Sequence, residues 1–262
     1  MAKKSSSNFL TAIVVVTLVI FAISLFSTYN LYNMFQEPKN VKIEMTYLFD
    51  IDCKDCIDLK PFFEQFSQIG INIEIKDADI SSSQGKKIVK KYDVKAVPTI
   101  IFSKEISSNP QITKVWEQVG TVEKDGSYVL RELSPPYKEL STGNIKGLVD
   151  VTYLSDTICE KCYDVMFHKE ILTQMGVKIV SEKTLDISSE EGKALVDKYS
   201  IKKVPTVILS EEAILYPSVK TSWNLIGTQE EDGVFIFRNI ELLKDKVYHD
   251  LETGKIEAGK VE

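Results

Sequence analysis

The sequence predicts an α/β protein built from two tandem copies of one β-α-β-α-β-β-α unit behind an apolar N-terminal segment. Three observations carry this. A Cys-x-x-Cys followed by Val-Pro-Thr occurs twice, as Cys53-Lys54-Asp55-Cys56 with Val97-Pro98-Thr99 and as Cys159-Glu160-Lys161-Cys162 with Val204-Pro205-Thr206. The proline falls 45 residues after the first cysteine in one copy and 46 in the other. Residues around these motifs repeat at a nearly constant offset, the signature of a duplicated domain. Strand-like alternation and helical spacing also alternate along the chain.

The repeat can be followed residue by residue. Thr46-Tyr47-Leu48 reappears as Thr152-Tyr153-Leu154, 106 positions on. At an offset of 107, Asp79-Ile80-Ser81, Gly85, Lys91-Tyr92, Trp116, Gly120-Thr121 and Asp125-Gly126 match Asp186-Ile187-Ser188, Gly192, Lys198-Tyr199, Trp223, Gly227-Thr228 and Asp232-Gly233. Near the ends Tyr137, Leu140 and Thr142-Gly143 match Tyr248, Leu251 and Thr253-Gly254 at 111. Such changes of offset are insertions of the size loops accept.

Within the first unit the elements read in order. Val41 to Phe49 alternates β-branched and aromatic residues, a strand. A helix is expected to begin at the Cys-x-x-Cys, because Leu59, Phe62, Phe63 and Phe66 make an apolar stripe at helical spacing. Residues 71–75 alternate as a second strand. Ser81 or Ser82 is placed to cap a short helix reaching about Tyr92. Pro98 to Phe102 is a third, apolar strand. Asp125-Gly126 suggests a type I′ turn between Trp116–Glu123 and Ser127–Leu130. Pro135-Pro136 then opens a last helix that Gly143 ends. Trp116, Trp223, Tyr92 and Tyr199 suit core or hairpin packing.

Bulk properties narrow the function. The 262 residues suit two domains of about 100 residues. A net charge of −6 offers no basic face and argues against a nucleic-acid partner. No charged residue occurs from Ser5 to Gln36, and residues 9–26 are apolar apart from Thr11, Thr17 and Ser24. As a helix that run spans about 27 Å, enough for a bilayer core. Lys3 and Lys4 precede it, so the N-terminus is expected to stay cytoplasmic and the rest to cross. The competing reading is a signal peptide cleaved after Ala22-Ile23-Ser24. The expected division is 1–36 for the N-terminus and single-pass transmembrane helix, 37–147 for the first unit and 148–262 for the second. Both readings put the cysteines outside the cytoplasm, where disulfides persist.

These four are the only cysteines. Two thiols three positions apart can close a disulfide, so the spacing suggests redox chemistry. With the proline before the third strand and the order of elements, each unit resembles the thioredoxin fold. A tandem pair is similar to protein disulfide oxidoreductases and disulfide isomerases. The likeness covers about Val41 to the C-terminus. It implies that Val97–Pro98 and Val204–Pro205 are cis, and that the backbone beside them (Val97, Pro98, Val204, Pro205) binds an extended substrate. Pro61 falls where such proteins often kink the active-site helix, and the second unit has Phe167 there. Neither dipeptide is the Gly-Pro of thioredoxins. The buried aspartate that thioredoxins carry is replaced by Tyr47 and Tyr153. Asp50 and Asp156, three residues before each first cysteine, are open to two roles, substitute proton acceptor or helix N-cap.

The expected chemistry is thiol–disulfide exchange. Cys53 and Cys159, at helix N-termini, attack as thiolates, and the more buried Cys56 and Cys162 resolve the mixed disulfide. Asp50, Asp52 and Asp55 surround Cys53 against Lys54 alone, whereas Asp156 and Glu160 face Lys161 near Cys159. Cys159 is therefore expected to be the more acidic thiol. No cofactor or bound metal is expected. The partners are proteins or peptides bearing a disulfide or dithiol, an unidentified redox partner, and a lipid bilayer through residues 9–26. Two alternatives stay open: a redox-inactive binding or structural module, and zinc held by cysteines. Against zinc, 103 positions separate Cys56 from Cys159, and His168, on a helix, reads as a surface residue.

Overall fold

The computed structural model describes residues 42–68 and 72–259. Among them no helix is long and apolar enough to cross a membrane, and the anchor expected over residues 9–26 lies outside them.

The first sheet-containing unit begins with β1 (Ile43–Phe49), α1 (Lys60–Gln68), β2 (Ile73–Asp79) and α2 (Ser83–Tyr92). It continues through β3 (Ala96–Val97), β4 (Thr99–Phe102), α3 (Pro110–Val119), β5 (Gly120–Val122), β6 (Tyr128–Leu130), β7 (Tyr137–Glu139) and β8 (Ile145–Lys146). The second repeats this order: β9 (Leu148–Ser155), α4 (Phe167–Gln174), β10 (Lys178–Asp186), α5 (Glu190–Lys198), β11 (Lys203–Val204), β12 (Thr206–Leu209), α6 (Pro217–Ile226), β13 (Gly227–Gln229), β14 (Phe235–Phe237), β15 (Val247–Asp250) and β16 (Lys255–Ala258). Each unit carries a five-stranded sheet, β2-β1-β4-β6-β5 and β10-β9-β12-β14-β13, and a small three-stranded sheet, β3-β7-β8 and β11-β15-β16. In both large sheets the first two strands run parallel and the others antiparallel.

Alternation in the first strand builds the core on both faces. Ile43, Met45 and Tyr47 join Phe63, Phe102 and Trp116 on one side, while Leu48 joins Ala78, Val94 and Val97 on the other. Val149, Val151 and Tyr153 against Leu154 repeat the pattern. The threonine of each Val-Pro-Thr is buried and satisfied: Thr99 donates to the Leu130 carbonyl (2.9 Å) and Thr206 to that of Phe237 (2.5 Å).

Four expectations need correction. The Cys-x-x-Cys segments are not helical, since α1 starts at Lys60 and α4 at Phe167, and each motif sits in a turn-rich loop. Trp116 and Trp223 belong to helices rather than strands. Asn109 accepts from the backbone of Gln111 and Ile112, Pro110 takes the first turn, and Ile112, Trp116 and Val119 share one face at helical spacing. The Asp125-Gly126 loop is not type I′. Only Gly126 has positive φ (84°), and Glu123 closes a wider loop by bonding Ser127. Pro135-Pro136 opens no helix: that bond is cis, and Tyr137–Glu139 pairs antiparallel with β3. A β-hairpin thus stands in each unit where the last helix was expected, and the order β-α-β-α-β-β-α holds only as far as β6 once α3 is added. The junction between units is as short as the sequence suggests, Gly147 alone separating β8 from β9.

His168 is buried at 5% exposure rather than on the surface. It packs 4.7 Å from the Phe237 ring centroid, and its Nε2 lies 2.7 Å from the Tyr163 hydroxyl. Desolvation lowers its pKa from 6.5 to about 4. The folded chain therefore keeps the imidazole neutral where the unfolded chain takes up a proton. Stability from this site is complete above about pH 6.5 and is lost as pH falls toward 4, a change of about 3 kcal/mol. Urea midpoints of the second unit are expected to fall across that window, and His168→Gln to flatten the fall while lowering stability at pH 7.5. A midpoint equally steep in the variant would assign the effect elsewhere.

Gly85 and Gly192, matched by the repeat, each sit where their helix start touches the preceding strand end. A Cβ there would lie 1.9 Å from the Asp79 carbonyl oxygen and 2.0 Å from that of Asp186. Ala normally favours a helix over Gly by about 1 kcal/mol, but contacts this short involve backbone that cannot move aside. Gly85→Ala and Gly192→Ala are each expected to destabilise their unit by about 1–3 kcal/mol, read from thermal melts. A raised melting temperature would contradict the packing.

Candidate functional site: two dithiol loops braced by a hairpin

Each Cys-x-x-Cys closes on itself as a disulfide with Cα atoms 5.4 Å apart. All four cysteines are half-buried, so the expected deeper burial of Cys56 and Cys162 is not a difference of class. The loop is shaped by hydrogen bonds from the aspartate at its start. The Asp50 carboxylate accepts from the Asp52 N–H (3.0 Å) and its carbonyl from the Cys53 N–H (3.1 Å). Asp156 does the same for Ile158 (3.0 Å) and Cys159 (3.1 Å). These aspartates cap the loop, not a helix.

Two further carboxylates secure the loop from behind. Asp79, at the end of β2, accepts from the Ile51 N–H (2.8 Å), and Asp186 accepts from Thr157 (2.6 Å). Bonds from Ser81 hold Asp79 below the usual carboxylate range. At Asp186 burial pushes upward, yet bonds from Ser188 and Thr157 outweigh it and leave the group at about 2.

The hairpin braces the other side. Ile57 donates to the Pro136 carbonyl (2.7 Å) and Tyr163 to that of Val247 (2.9 Å), so the residue after each second cysteine is pinned to the hairpin. Register then places Lys138 across from Val97, and His249 across from Val204. Lys138 Nζ meets Asp50 Oδ2 at 2.6 Å, and His249 Nδ1 meets Asp156 Oδ2 at 2.6 Å. The aspartate side chains are only 6% and 4% exposed. The bond to Asp50 raises the Lys138 pKa. Sequence reasoning missed both partners, although the offset of 111 that aligns Tyr137 with Tyr248 also aligns Lys138 with His249.

Val97–Pro98 and Val204–Pro205 are both cis. All four residues are buried, and each valine pairs in register with the hairpin strand. Cys56 Sγ lies 3.8 Å from the Val97 carbonyl oxygen, bringing the dithiol against the proline loop. In the second unit Tyr163 makes that link, its hydroxyl donating to the Pro205 carbonyl (2.8 Å). Burial raises the Tyr163 pKa, so the hydroxyl keeps its proton.

The loops open onto different spaces. A cavity of about 320 Å³ at the first site is lined by Cys53, Cys56 and Pro98 with Tyr47, Asp50 and Asp58. One of about 690 Å³ at the second runs between Cys159 and the β15–β16 hairpin, with Ile158, Val247, His249, Ile256 and Ala258 in its wall. Among the described residues no group of three or more His, Cys, Asp or Glu side chains converges as a metal site would require.

No family model matches the chain, and no curated protein does. Among solved structures it is similar to the NTD_N/C domain of the alkylhydroperoxide reductase AhpF from Enterococcus faecalis, at 13% identity over 69% of this chain and 87% of that one, with a TM-score of 0.23. It is similar also to human ERp44 in its zinc-bound form (12%, 66% of this chain and 49% of that one, TM-score 0.20). Full-length ERdj5 is a third (13%, 70% and 27%, TM-score 0.22).

Proposed function

We propose that the chain is a thiol–disulfide oxidoreductase with two dithiol sites, anchored by residues 9–26 and working outside the cytoplasm as units 37–147 and 148–262. The observation that carries the reading is the pair of closed, half-buried disulfides, each held between a cis-proline loop and a buried carboxylate paired to a lysine or a histidine. Two separate sites with this arrangement suit repeated opening and closing better than a structural crosslink does. The location rests on the uncharged 18-residue run behind Lys3 and Lys4.

In the reducing direction Cys53 or Cys159 attacks one sulfur of a substrate disulfide as a thiolate. A mixed disulfide forms and the other substrate sulfur leaves as a thiol. Cys56 or Cys162 then attacks the mixed disulfide, restoring the internal disulfide and releasing the second thiol. Run backwards, the steps donate a disulfide. A helix N-terminus does not favour the thiolate here, because neither helix begins at the motif. The buried pair beside the loop supplies a place for the proton instead. At the first site the carboxylate's partner is an ammonium; at the second it is an imidazole.

The full chain, reduced and mixed with insulin and dithiothreitol, is expected to accelerate insulin precipitation. Replacing Cys53 and Cys159 together by Ser should abolish the acceleration, and each alone should lower it by part. An unaccelerated wild-type chain whose dithiols show no measurable potential would make it a binding module. Potentials near −270 mV would mark a reductase and near −120 mV an oxidant.

The surroundings of Cys53 hold Asp58 as well as Asp52 and Asp55 against Lys60, while Lys54 is turned to the Ile51 carbonyl and Lys178 lies 3.6 Å from Asp55. Iodoacetamide trapping of chains retaining only Cys53 or only Cys159 should show Cys159 reacting at lower pH. The reverse order would refute this charge argument.

A further inference from the structure

The two dithiols share a scaffold but not an entrance. Position 158, directly before the reactive cysteine, is isoleucine, 83% exposed, and the matching position in the first unit is Asp52. Across the cleft, His249 pairs with Ile256 and Val247 with Ala258 in register, so one face of the β15–β16 hairpin presents all four toward Cys159. Ile256 is 47% exposed. The β16 strand edges its sheet and is exposed throughout.

The matching hairpin of the first unit is not available in this way. Its strand β8 runs directly into the second unit. Lys146 pairs with Glu212 (3.2 Å), Gly147 donates to the same carboxylate (2.6 Å), and the Tyr216 hydroxyl donates to the Gly147 carbonyl (2.6 Å). The cavity at Cys53 lies against β1 and the start of α1, with Asp50, Asp58, Lys54 and Lys60 around it. A single exposed isoleucine means little on a protein surface. Two of them facing each other across a reactive cysteine, where the duplicate has an aspartate and a pinned strand, make a binding surface.

We propose that the cleft at Cys159 takes an extended polypeptide whose reacting cysteine has a bulky apolar neighbour, seated between Ile158 and the Val247–Ile256–Ala258 face of the hairpin. This rests on the oxidoreductase reading and adds the substrate class of one of its two sites. The occupant must carry sulfur, because Cys159 lines the cleft. It must be largely apolar beside that sulfur, because four of the lining side chains are aliphatic. Glu160 and Glu257 at the rim oppose a small, doubly anionic thiol.

The test uses the full chain with Cys159 as its only cysteine (Cys53→Ser, Cys56→Ser, Cys162→Ser) and peptides activated as aryl disulfides. The Cys159 thiolate attacks the peptide sulfur, the Cys159–peptide disulfide forms, the peptide–aryl bond breaks, and the aryl thiolate leaves with the electron pair and is read by absorbance. A peptide with Leu beside its cysteine is expected to react about tenfold faster or more than one with Ser. Ile158→Asp and Ile256→Lys, both surface changes, should each reduce that ratio at least threefold. A chain retaining only Cys53 should show a ratio near one. A ratio near one at Cys159, a ratio untouched by both substitutions, or an activated glutathione as fast as the Leu peptide would each overturn the proposal. If Cys159 reacts with no probe at all, the oxidoreductase reading itself fails. Should the serine variants not fold, alanine replaces the same three cysteines, and the same ratios are read with the same outcomes.

Discussion

The carboxylate three residues before each first cysteine has almost no contact with solvent, and a buried charge left alone costs several kcal/mol. Most of what is distinctive in each unit follows from meeting that charge. The partner comes from inside a β-strand, Lys138 in β7 or His249 in β15. That strand must therefore lie beside the loop, and it does so by pairing with the two-residue strand that ends at the cis-proline. One interaction thus ties three separate stretches of chain together: the dithiol loop, the proline loop and the hairpin. Removing only the partner would strand the aspartate.

The duplication keeps this frame and varies what surrounds it. In the second unit Tyr163 reaches the Pro205 carbonyl and meets His168 behind it, a polar chain set inside an aromatic cluster with Phe167 and Phe237. The corresponding first-unit residues, Ile57 and Phe62, have no polar side-chain atom, and there the dithiol itself approaches the Val97 carbonyl. Both arrangements hold the loop against the proline. The first uses sulfur and apolar contact, the second the Tyr163 hydroxyl, which donates to the Pro205 carbonyl and lies 2.7 Å from His168 Nε2.

Much of this was legible in the sequence where the signal is local and repeated. The alternation from Val41 to Phe49 placed the first strand, Ser82 is the one of two candidate serines that caps its helix, and the resemblance at Val-Pro-Thr implied both cis-prolines. What misled was chemistry that serves two structures equally well. Pro135-Pro136 followed by Tyr-Lys-Glu-Leu has the look of a helix start, and only pairing with β3, a tertiary contact, makes it a strand. Trp116 reads as a strand residue by type and as a helix residue by spacing, and spacing prevailed. His168 was placed outside because a lone histidine usually is; the tyrosine five residues earlier was the clue to its burial. The residues 9–26 lie outside the described part of the chain.

The displacement of the helices from the cysteines changes the physical account of the chemistry. A thiolate at a helix N-terminus is favoured by unpaired amides and the helix dipole, a field that scarcely varies between two copies of one fold. Here α1 begins four residues beyond Cys56 and α4 five beyond Cys162, so that shared term fades within a turn. What remains near each sulfur is set by individual side chains: Asp52, Asp55 and Asp58 with Lys54, Lys60 and the Asp50–Lys138 pair at one loop, Glu160, Glu257 and Lys161 with the Asp156–His249 pair at the other. Terms of this kind differ between copies by substitution of single residues. Two dithiols on one duplicated scaffold can therefore hold different potentials and meet different partners without any change of fold.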